Sequence, residues 1–337
     1  MQRVYLTHPP AALEKYYGAR AIAALKQIAE VRFNQAGREL GMPELAQAAQ
    51  DCAIIISYRQ TPGAAELFAL APNLVAFSRC AIDIRNVDVA AASAQGILVT
   101  QASAGFITAV AEWCIGALID LSRGISASSE AYHAGRVPVA AMGRELRGST
   151  LGVIGYGQIS RALCPLALAF GMRVIVSDPY ARVEASVDNP AITHTSLPEL
   201  LGGSDSVICL AVASEETENL MNDAAFAQMK PGAFFINPSR GNLVDEAALL
   251  RALDSGHLAA CAMDVGRAPD QMPTPALALA RHPKIIATPH LGGLTPAAIE
   301  HQALETVTQA AEILQGRAPK GSVNAAQASR LAHLRPA

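Results

Sequence analysis

The sequence predicts an α/β protein built from two doubly wound parallel sheets, with one domain inserted into the other. Three observations carry that expectation. Short β-rich runs alternate with helical stretches in two separate series. A glycine turn, Gly155-Tyr-Gly157-Gln-Ile-Ser160, opens the second series nearly halfway along the chain. A capped, patterned helix then follows the last strand of that series, so the chain can return to the first.

Composition bounds the problem before any element is assigned. The chain has 337 residues, 51% of them hydrophobic, which is enough for a full core and, by length, for two domains. Its formal net charge is −3 and no Lys/Arg cluster is present, which argues against nucleic acid or an anionic membrane surface and for a small-molecule ligand. Cys52, Cys80, Cys114, Cys164, Cys209 and Cys261 occur singly, mostly within apolar runs, and never as C-x-x-C. They read as reduced core thiols of a cytoplasmic protein, neither metal ligands nor a disulfide framework. The opening Met1–Thr7 is already strand-like, and apolar runs such as Ala162–Met172 are too short to span a bilayer, so no export signal or membrane segment is expected.

The first series places strands at Val4–Thr7, Ala53–Ser57, Leu74–Ser78 and Ile97–Thr100, with helices at Arg20–Glu30, Glu44–Gln50, Ala64–Leu70 and Val89–Gln95. From Ile107 to about His133 there is no proline, and the stretch reads as one long helix joining the two sheets. Strands of the second series lie near 151–155, 173–177, 207–211, 233–237, 259–265 and 285–288. Thr295-Pro296 supplies an N-cap and first-turn proline, the apolar pattern runs to Leu314, and Gly316 can close the helix. The expected organisation is a discontinuous domain, 1–100 plus 291–337, around an inserted domain, 101–290, with a ligand cleft between them.

The glycine turn is the first candidate site. Gly155 permits a tight turn, Gly157 lets backbone amides approach a pyrophosphate, and the helix that follows presents its partly positive end. Asp178, at the end of the next strand, is placed to hold a ribose diol. Ser160 stands where a third glycine is usual and is small enough to keep helix and strand close; a plain strand-to-helix connection is the bland alternative.

Three later strand ends carry polar residues. They are Asn237-Pro238-Ser239-Arg240, Met263-Asp264 and Thr288-Pro289-His290, the last followed by Gly292-Gly293. Ligands gather at the carboxyl ends of strands in open α/β sheets, so these ends should share a crevice with the Gly155 turn. Arg240 can clamp a carboxylate at two points and polarise the adjacent carbonyl. His290 can donate or accept a hydroxyl proton while a hydride moves to or from a nicotinamide. Singly, Arg240 could cap a carbonyl or pair with Asp245, and His290 could be a satisfied loop histidine; their joint placement at successive strand ends favours chemistry.

Between Ala53 and Asn324 the chain carries, in order, Asn86-Val-Asp-Val-Ala-Ala-Ala, Val110-Ala-Glu112, Gly148-Ser-Thr-Leu-Gly-Val-Ile-Gly-Tyr-Gly, Phe170-Gly-Met-Arg-Val, Met229-Lys-Pro-Gly-Ala, Arg240-Gly-Asn-Leu-Val-Asp-Glu-Ala-Ala-Leu and Thr288-Pro-His290. With these motifs it resembles the D-isomer-specific 2-hydroxyacid dehydrogenase family. The resemblance implies a Rossmann cofactor domain inserted in a flavodoxin-like catalytic domain, a homodimer built on the cofactor domains and the long helix, and NAD-dependent interconversion of a small D-2-hydroxyacid and its 2-ketoacid. By motif position, Arg240 resembles the substrate-binding arginine, which also borders the cofactor, and His290 the acid/base. Gln158 and Ile159 match the phosphate-turn residues, Asp178 the ribose-binding acid and Asp264 the partner of the nicotinamide carboxamide. Pro238, Ser239, Gly292 and Gly293 would line the cofactor, and Val212 would lie beside the adenine. Asp178 favours NAD over NADP, because it accepts from the 2′-hydroxyl and repels a phosphate; nearby Arg182 weighs the other way.

The chain departs from the family pattern twice. The family glutamate that pairs with the histidine is missing from Asp264-Val-Gly-Arg267-Ala-Pro269-Asp270-Gln271, where Asp270 is the expected replacement. The alternative is a solvated Asp270, with Gln271 or a water orienting His290. The family's glycine-rich substrate loop is here Ser78-Arg-Cys-Ala-Ile82-Asp83-Ile-Arg85-Asn86. The amides of Ile82 and Asp83 could still bind the substrate carboxylate, and Arg85 could bind a second anionic group or bridge to Asp88. Two rival functions remain at this level, a nucleotide-sensing, corepressor-like protein with little turnover and a family member using formate or phosphite as hydride donor.

Overall fold

The computed structural model describes residues 1–181, 191–268 and 272–334. They divide into two compact units, one of residues 1–106 plus 295–337 and one of 107–294. The first unit holds a five-stranded sheet of β1 (Arg3–Leu6), β2 (Glu30–Phe33), β3 (Ile54–Ser57), β4 (Ala76–Arg79) and β5 (Leu98–Gln101), in the order β2-β1-β3-β4-β5. The second holds β6 (Thr150–Ile154), β7 (Arg173–Ser177), β8 (Ile192–His194), β9 (Ser206–Cys209), β10 (Ala233–Asn237), β11 (Leu258–Met263) and β12 (Ile285–Ala287), ordered β12-β11-β10-β9-β6-β7-β8. Every strand pair in both sheets is parallel. Parallel strands need crossover helices on both faces, which is why β3, β6, β9 and β10 are buried along their whole length.

Two strands escaped the sequence reading, and both lie at sheet edges. In β2, Glu-Val-Arg-Phe, no residue is fully buried; Glu30 pairs with Arg3 and Arg32, so no apolar run marks the strand. The preceding helix accordingly ends at Ile28, before the Glu30 expected of it. The other strand, β8, is three residues long and only partly buried. A third correction concerns the expected long helix, which is two helices, Ile107–Arg123 and Ile125–His133. Gly124 separates them with φ 63°, a left-handed conformation that glycine takes without steric cost, and its amide closes on the Asp120 carbonyl at 2.7 Å.

The chain returns to the first sheet as the sequence pattern requires. Thr295 caps helix Pro296–Ile313 by accepting from the Ala298 amide, and Ala303, Val307, Ala310 and Ile313 join Leu6, Leu25, Ile54 and Leu98 in one core. Gln309 secures that contact: its Oε1 accepts from Thr100 Oγ1 at 2.9 Å and its Nε2 donates to the Gln101 carbonyl at 2.9 Å. All six cysteines are buried. No described helix is long and apolar enough to cross a membrane.

Arg79, the last residue of β4, is fully buried. Its guanidinium donates to the carbonyls of Tyr58 (2.7 Å), Thr61 (3.2 Å), Asp83 (3.0 Å) and Arg59. Burial pulls its pKa down to about 10, so it stays protonated at neutral pH. One side chain thus ties the loop after β3 to the loop after β4. Arg79→Met should cost about 3–4 kcal/mol in urea denaturation, because it orphans several buried carbonyls at once. A loss under about 1 kcal/mol would show that the loops hold themselves.

Candidate active site

The glycine turn joins β6 to helix Gln158–Ala169 in the second unit. Gly155 has φ 87°, and a Cβ there would stand 2.8 Å from the Leu210 carbonyl, so both backbone shape and space demand glycine. Ser160 explains its own presence: it is buried, and its hydroxyl donates to the Gly155 carbonyl at 2.6 Å. Asp178 closes the turn from β7. Its Oδ2 accepts from the Tyr156 amide at 2.7 Å, and its Oδ1 accepts from the amides of Tyr180 and Ala181. Burial works to raise this carboxyl, but the three amides outweigh it and hold the pKa below the usual value.

Whether a dinucleotide fits here is tested at Gly157. A Cβ built on Gly157 meets nothing within 4 Å, and the residue is exposed at the amino end of the helix, with Gln158 and Ile159 in the first turn. Open space above unsatisfied helix amides is the cradle a pyrophosphate needs. Val212, just beyond β9, is 81% exposed, which leaves its apolar surface open to a ligand such as adenine.

Beyond β10, β11 and β12, which are neighbours in the sheet, the remaining candidates come together. Asn237, fully buried at the end of β10, shapes the next turn: its Nδ2 donates to the Arg240 carbonyl at 2.8 Å and its Oδ1 accepts from the Ser239 amide at 3.0 Å. Ser239 Oγ donates to the Ala211 carbonyl beside Val212, and Pro238 is buried. Arg240 is half-buried, and its Nη1 donates to the Ser239 carbonyl at 2.8 Å. The pairing with Asp245 weighed from the sequence gives way to another arrangement, because Asp245 caps helix Glu246–Asp254 through the amides of Ala247 and Ala248.

Asp264 follows β11 and is 1% exposed. Its Oδ1 accepts from Thr288 Oγ1 at 2.5 Å and from the Leu291 amide at 2.7 Å, and its Oδ2 accepts from the Gly292 amide at 2.8 Å. Its own carbonyl accepts from the His290 amide at 2.9 Å. Burial lifts its carboxyl above the ordinary range, although Thr288, both amides and His290 all act to lower it. His290 is held in the left-handed region, φ 56°, an uncommon backbone for a non-glycine residue. Its Nδ1 lies 3.4 Å from the Pro273 carbonyl. Gly292 is buried against the carboxylate, where a Cβ would come within 2.9 Å of Asp264 Oδ2, and Gly293 follows it.

The loop after β4 belongs to the first unit. There Arg85 bonds Asp83, Nη2 to Oδ2 at 2.6 Å, and not Asp88, which caps helix Val89–Ala94 through the Ala91 amide. Asp83 also accepts from the Arg85 amide, and Ile82 is 38% exposed. Asp270 and Arg182 lie outside the described residues. Asn237 and Thr288, which hold the turn before Arg240 and the Asp264 carboxylate, are not singled out by the sequence motifs. A polar residue at the last position of a buried strand, or one before Pro-His, is a signal that could have found them.

Known proteins resemble the chain along most of its length. A family model for the NAD-binding domain of D-isomer specific 2-hydroxyacid dehydrogenases matches residues 115–292. D-3-phosphoglycerate dehydrogenase of Rattus norvegicus is 33% identical over 289 residues, 86% of this chain and 54% of that protein. The enzyme of the same name from Mycobacterium tuberculosis (strain ATCC 25618 / H37Rv) is 33% identical over 261 residues, 77% of this chain and 49% of that protein. The chain thus spans about half the length of these curated relatives. Among solved structures, the TT0316 protein from Thermus thermophilus superposes with a TM-score of 0.79 at 28% identity, covering 96% of this chain and 100% of its own. The apo-structure of D-lactate dehydrogenase from Escherichia coli, at 24% identity and TM-score 0.80 with 96% and 100% coverage, shows the same fold.

The two turn glycines should separate in experiment. Gly155→Ala is expected to lower the melting temperature, through both its strained φ and its clash with the Leu210 carbonyl. Gly157→Ala should leave the melting temperature near that of the parent and raise the NADH dissociation constant about tenfold or more, measured by fluorescence titration. Unchanged NADH affinity in Gly157→Ala would remove the pyrophosphate from this turn.

Proposed function

Because the chain belongs to the D-isomer-specific 2-hydroxyacid dehydrogenase family, we propose that it is an NAD-dependent oxidoreductase interconverting a small D-2-hydroxyacid and its 2-ketoacid. One observation carries the proposal: Arg240, Asp264 and His290 stand beyond the carboxyl ends of three adjacent strands, with the residues on either side of His290 held by the buried Asp264 carboxylate and the His290 amide by the Asp264 carbonyl. Such an arrangement suits a cation, an anchor and a proton carrier acting on one small acid.

When bound, NAD supplies the group that accepts or donates the hydride at C2 of the acid. Gly155, Gly157, Gln158 and Ile159 would hold its pyrophosphate and Asp178 its ribose, with NAD favoured over NADP. Val212, Pro238, Ser239, Gly292 and Gly293 would border it. Asp264 would reach the carboxamide only through lone pairs its three donors leave open. Arg240 takes the substrate carboxylate in a two-point grip and draws electron density from the neighbouring carbonyl. The amides of Ile82 and Asp83 assist at the carboxylate. His290 gives its proton to the carbonyl oxygen in reduction and recovers it in oxidation. Its ring is oriented by the Pro273 carbonyl, and Asp270 is proposed as the acid that tunes it. The curated relatives are named for D-3-phosphoglycerate, which puts a phosphorylated acid among the substrates to try.

We also propose a homodimer formed by the second unit. Val137, Val139 and Met142, after helix Ile125–His133, are 82%, 93% and 99% exposed, and Ile125 and Tyr132 on that helix are 55% and 61% exposed. An apolar group of this size on a single chain points to a partner surface.

The activity is tested by NADH oxidation with a panel of 2-ketoacids; NADH binding without turnover of any of them would overturn the assignment. His290→Asn should reduce kcat by about 10²–10⁴-fold, and near-parental turnover would remove its proton-transfer role. Asp270→Asn should displace the pH profile of kcat, whereas an unchanged rate and profile would dismiss Asp270. For the dimer, Val139→Asp combined with Met142→Asp should halve the mass measured by light scattering, and a parent chain that already runs as a monomer would sink the proposal.

A further inference from the structure

The segment Asp264-Val-Gly-Arg267, where the sequence leaves the family pattern, puts a cation shortly after the end of β11. Its guanidinium gathers acceptors from two other segments. Arg267 Nη1 donates to the Val244 carbonyl at 2.7 Å and to Asn219 Oδ1 at 2.8 Å, and Nη2 pairs with Glu218 Oε1. Those two segments are themselves joined. The Asn219 amide donates to the Asn242 carbonyl at 2.8 Å, Met221 and Val244 form a parallel bridge, and Asn242 Nδ2 donates to Glu218 Oε2 at 3.1 Å. Among the described residues, Asn219 and His290 are the non-glycine residues held in the left-handed region, at φ 54° and 56°. Asparagine takes this conformation more readily than most residues, and here its side-chain oxygen meets Arg267.

Both sides of this junction lead to candidate residues of the active site. Val244 follows the short helical turn Gly241–Leu243 that Arg240 opens. On the other side, the Gly266 amide donates to the Pro273 carbonyl at 2.9 Å and joins the ends of segment 266–273. The same Pro273 oxygen faces His290 Nδ1 at 3.4 Å. The backbones are packed without a gap: a Cβ on Gly241 would overlap the Gly266 carbonyl, and one on Gly266 would overlap the Thr274 carbonyl. A shift of one segment is therefore passed to the next. All of these residues belong to the second unit.

A carbonyl oxygen only accepts, so the Nδ1 that faces it carries the hydrogen in the neutral ring. That leaves Nε2 the lone pair that exchanges the hydroxyl proton of the substrate. We propose that Arg267 is a positioning residue for this site: it holds the turn after Arg240 and the Gly266–Pro273 junction in one register, and so keeps His290 in the tautomer that works through Nε2. The proposal rests on the dehydrogenase reading above and adds a residue that acts through others. A guanidinium serves three acceptors in a fixed fork, which a lysine ammonium would satisfy only in part. With side chains 34% and 39% exposed, the pair of Arg267 with Glu218 adds little stability by itself, so the effect falls on turnover.

The tautomer is read by nitrogen NMR on protein with isotope-labelled histidine, without substrate or cofactor, the His290 signals being those lost in His290→Asn. The neutral parent ring should carry its hydrogen on Nδ1; Arg267→Met should move most of the population to Nε2–H, and Arg267→Lys should lie between. In assays with NADH and glyoxylate, hydroxypyruvate or pyruvate, Arg267→Met should lower kcat about 10- to 100-fold, the cost of a reacting group displaced by about an ångström. Arg267→Lys should recover part of that loss. Glu218→Ala combined with Asn219→Gly releases the guanidinium from the opposite side, keeps the left-handed backbone, and should act in the same direction even if Arg267→Met does not fold. A parental tautomer or a parental kcat in the variants that fold would overturn the positioning role while the dehydrogenase stands. An Arg267-dependent tautomer in a parent that turns over no ketoacid would instead uphold the tie to His290 and overturn the dehydrogenase reading.

Discussion

The buried carboxylate of Asp264 is the interaction on which the second unit's chemistry depends. A charged group at 1% exposure survives only if its lone pairs are occupied, and here one hydroxyl and two amides occupy them. All three donors come from the segment after β12 that carries His290, so the cost of burying the charge is offset by ordering that loop. The left-handed backbone at His290, which a free loop would relax, is sustained by the same bonds together with the amide contact to the Asp264 carbonyl.

The same device recurs at other strand ends. Asp178 reaches from β7 to the Tyr156 amide and braces the glycine turn after β6. Asn237 holds both sides of the turn that presents Arg240. In the first unit the sign is reversed: Arg79, a buried cation, gathers carbonyls from the loops after β3 and β4. In each case a polar side chain at or just past a strand end bonds loop backbone, so a rigid sheet dictates the path of segments that have no regular structure of their own. A parallel sheet collects these loops at one edge, and that edge is where chemistry can be assembled.

Much of this was legible beforehand. Fully buried strands announce themselves as apolar runs, and the Thr295-Pro296 cap and the apolar positions after it located the returning helix. The misses share a cause. The residues of β2 and β8 are at most half-buried, so hydrophobic patterning had little to report, and Gly124 breaks a helix that carries no proline to mark the place. Ser160 stands where a third glycine is usual, and only the fold shows its hydroxyl closing on the Gly155 carbonyl. Arg85 turned to Asp83 because that carboxylate is two residues away, whereas Asp88 was already committed to a helix amide.

The sequence by itself determined the two βα series, the central glycine turn, and the residue types at the strand ends, because these are local properties of pattern and spacing. Strand order was decided only in three dimensions, and with it the adjacency of Arg240, Asp264 and His290. So were the partners of Asp264 and Arg79, since hydrogen bonds between loops of different strands leave no periodic trace in the chain. Pattern records which faces avoid water; it does not record which buried polar group answers which.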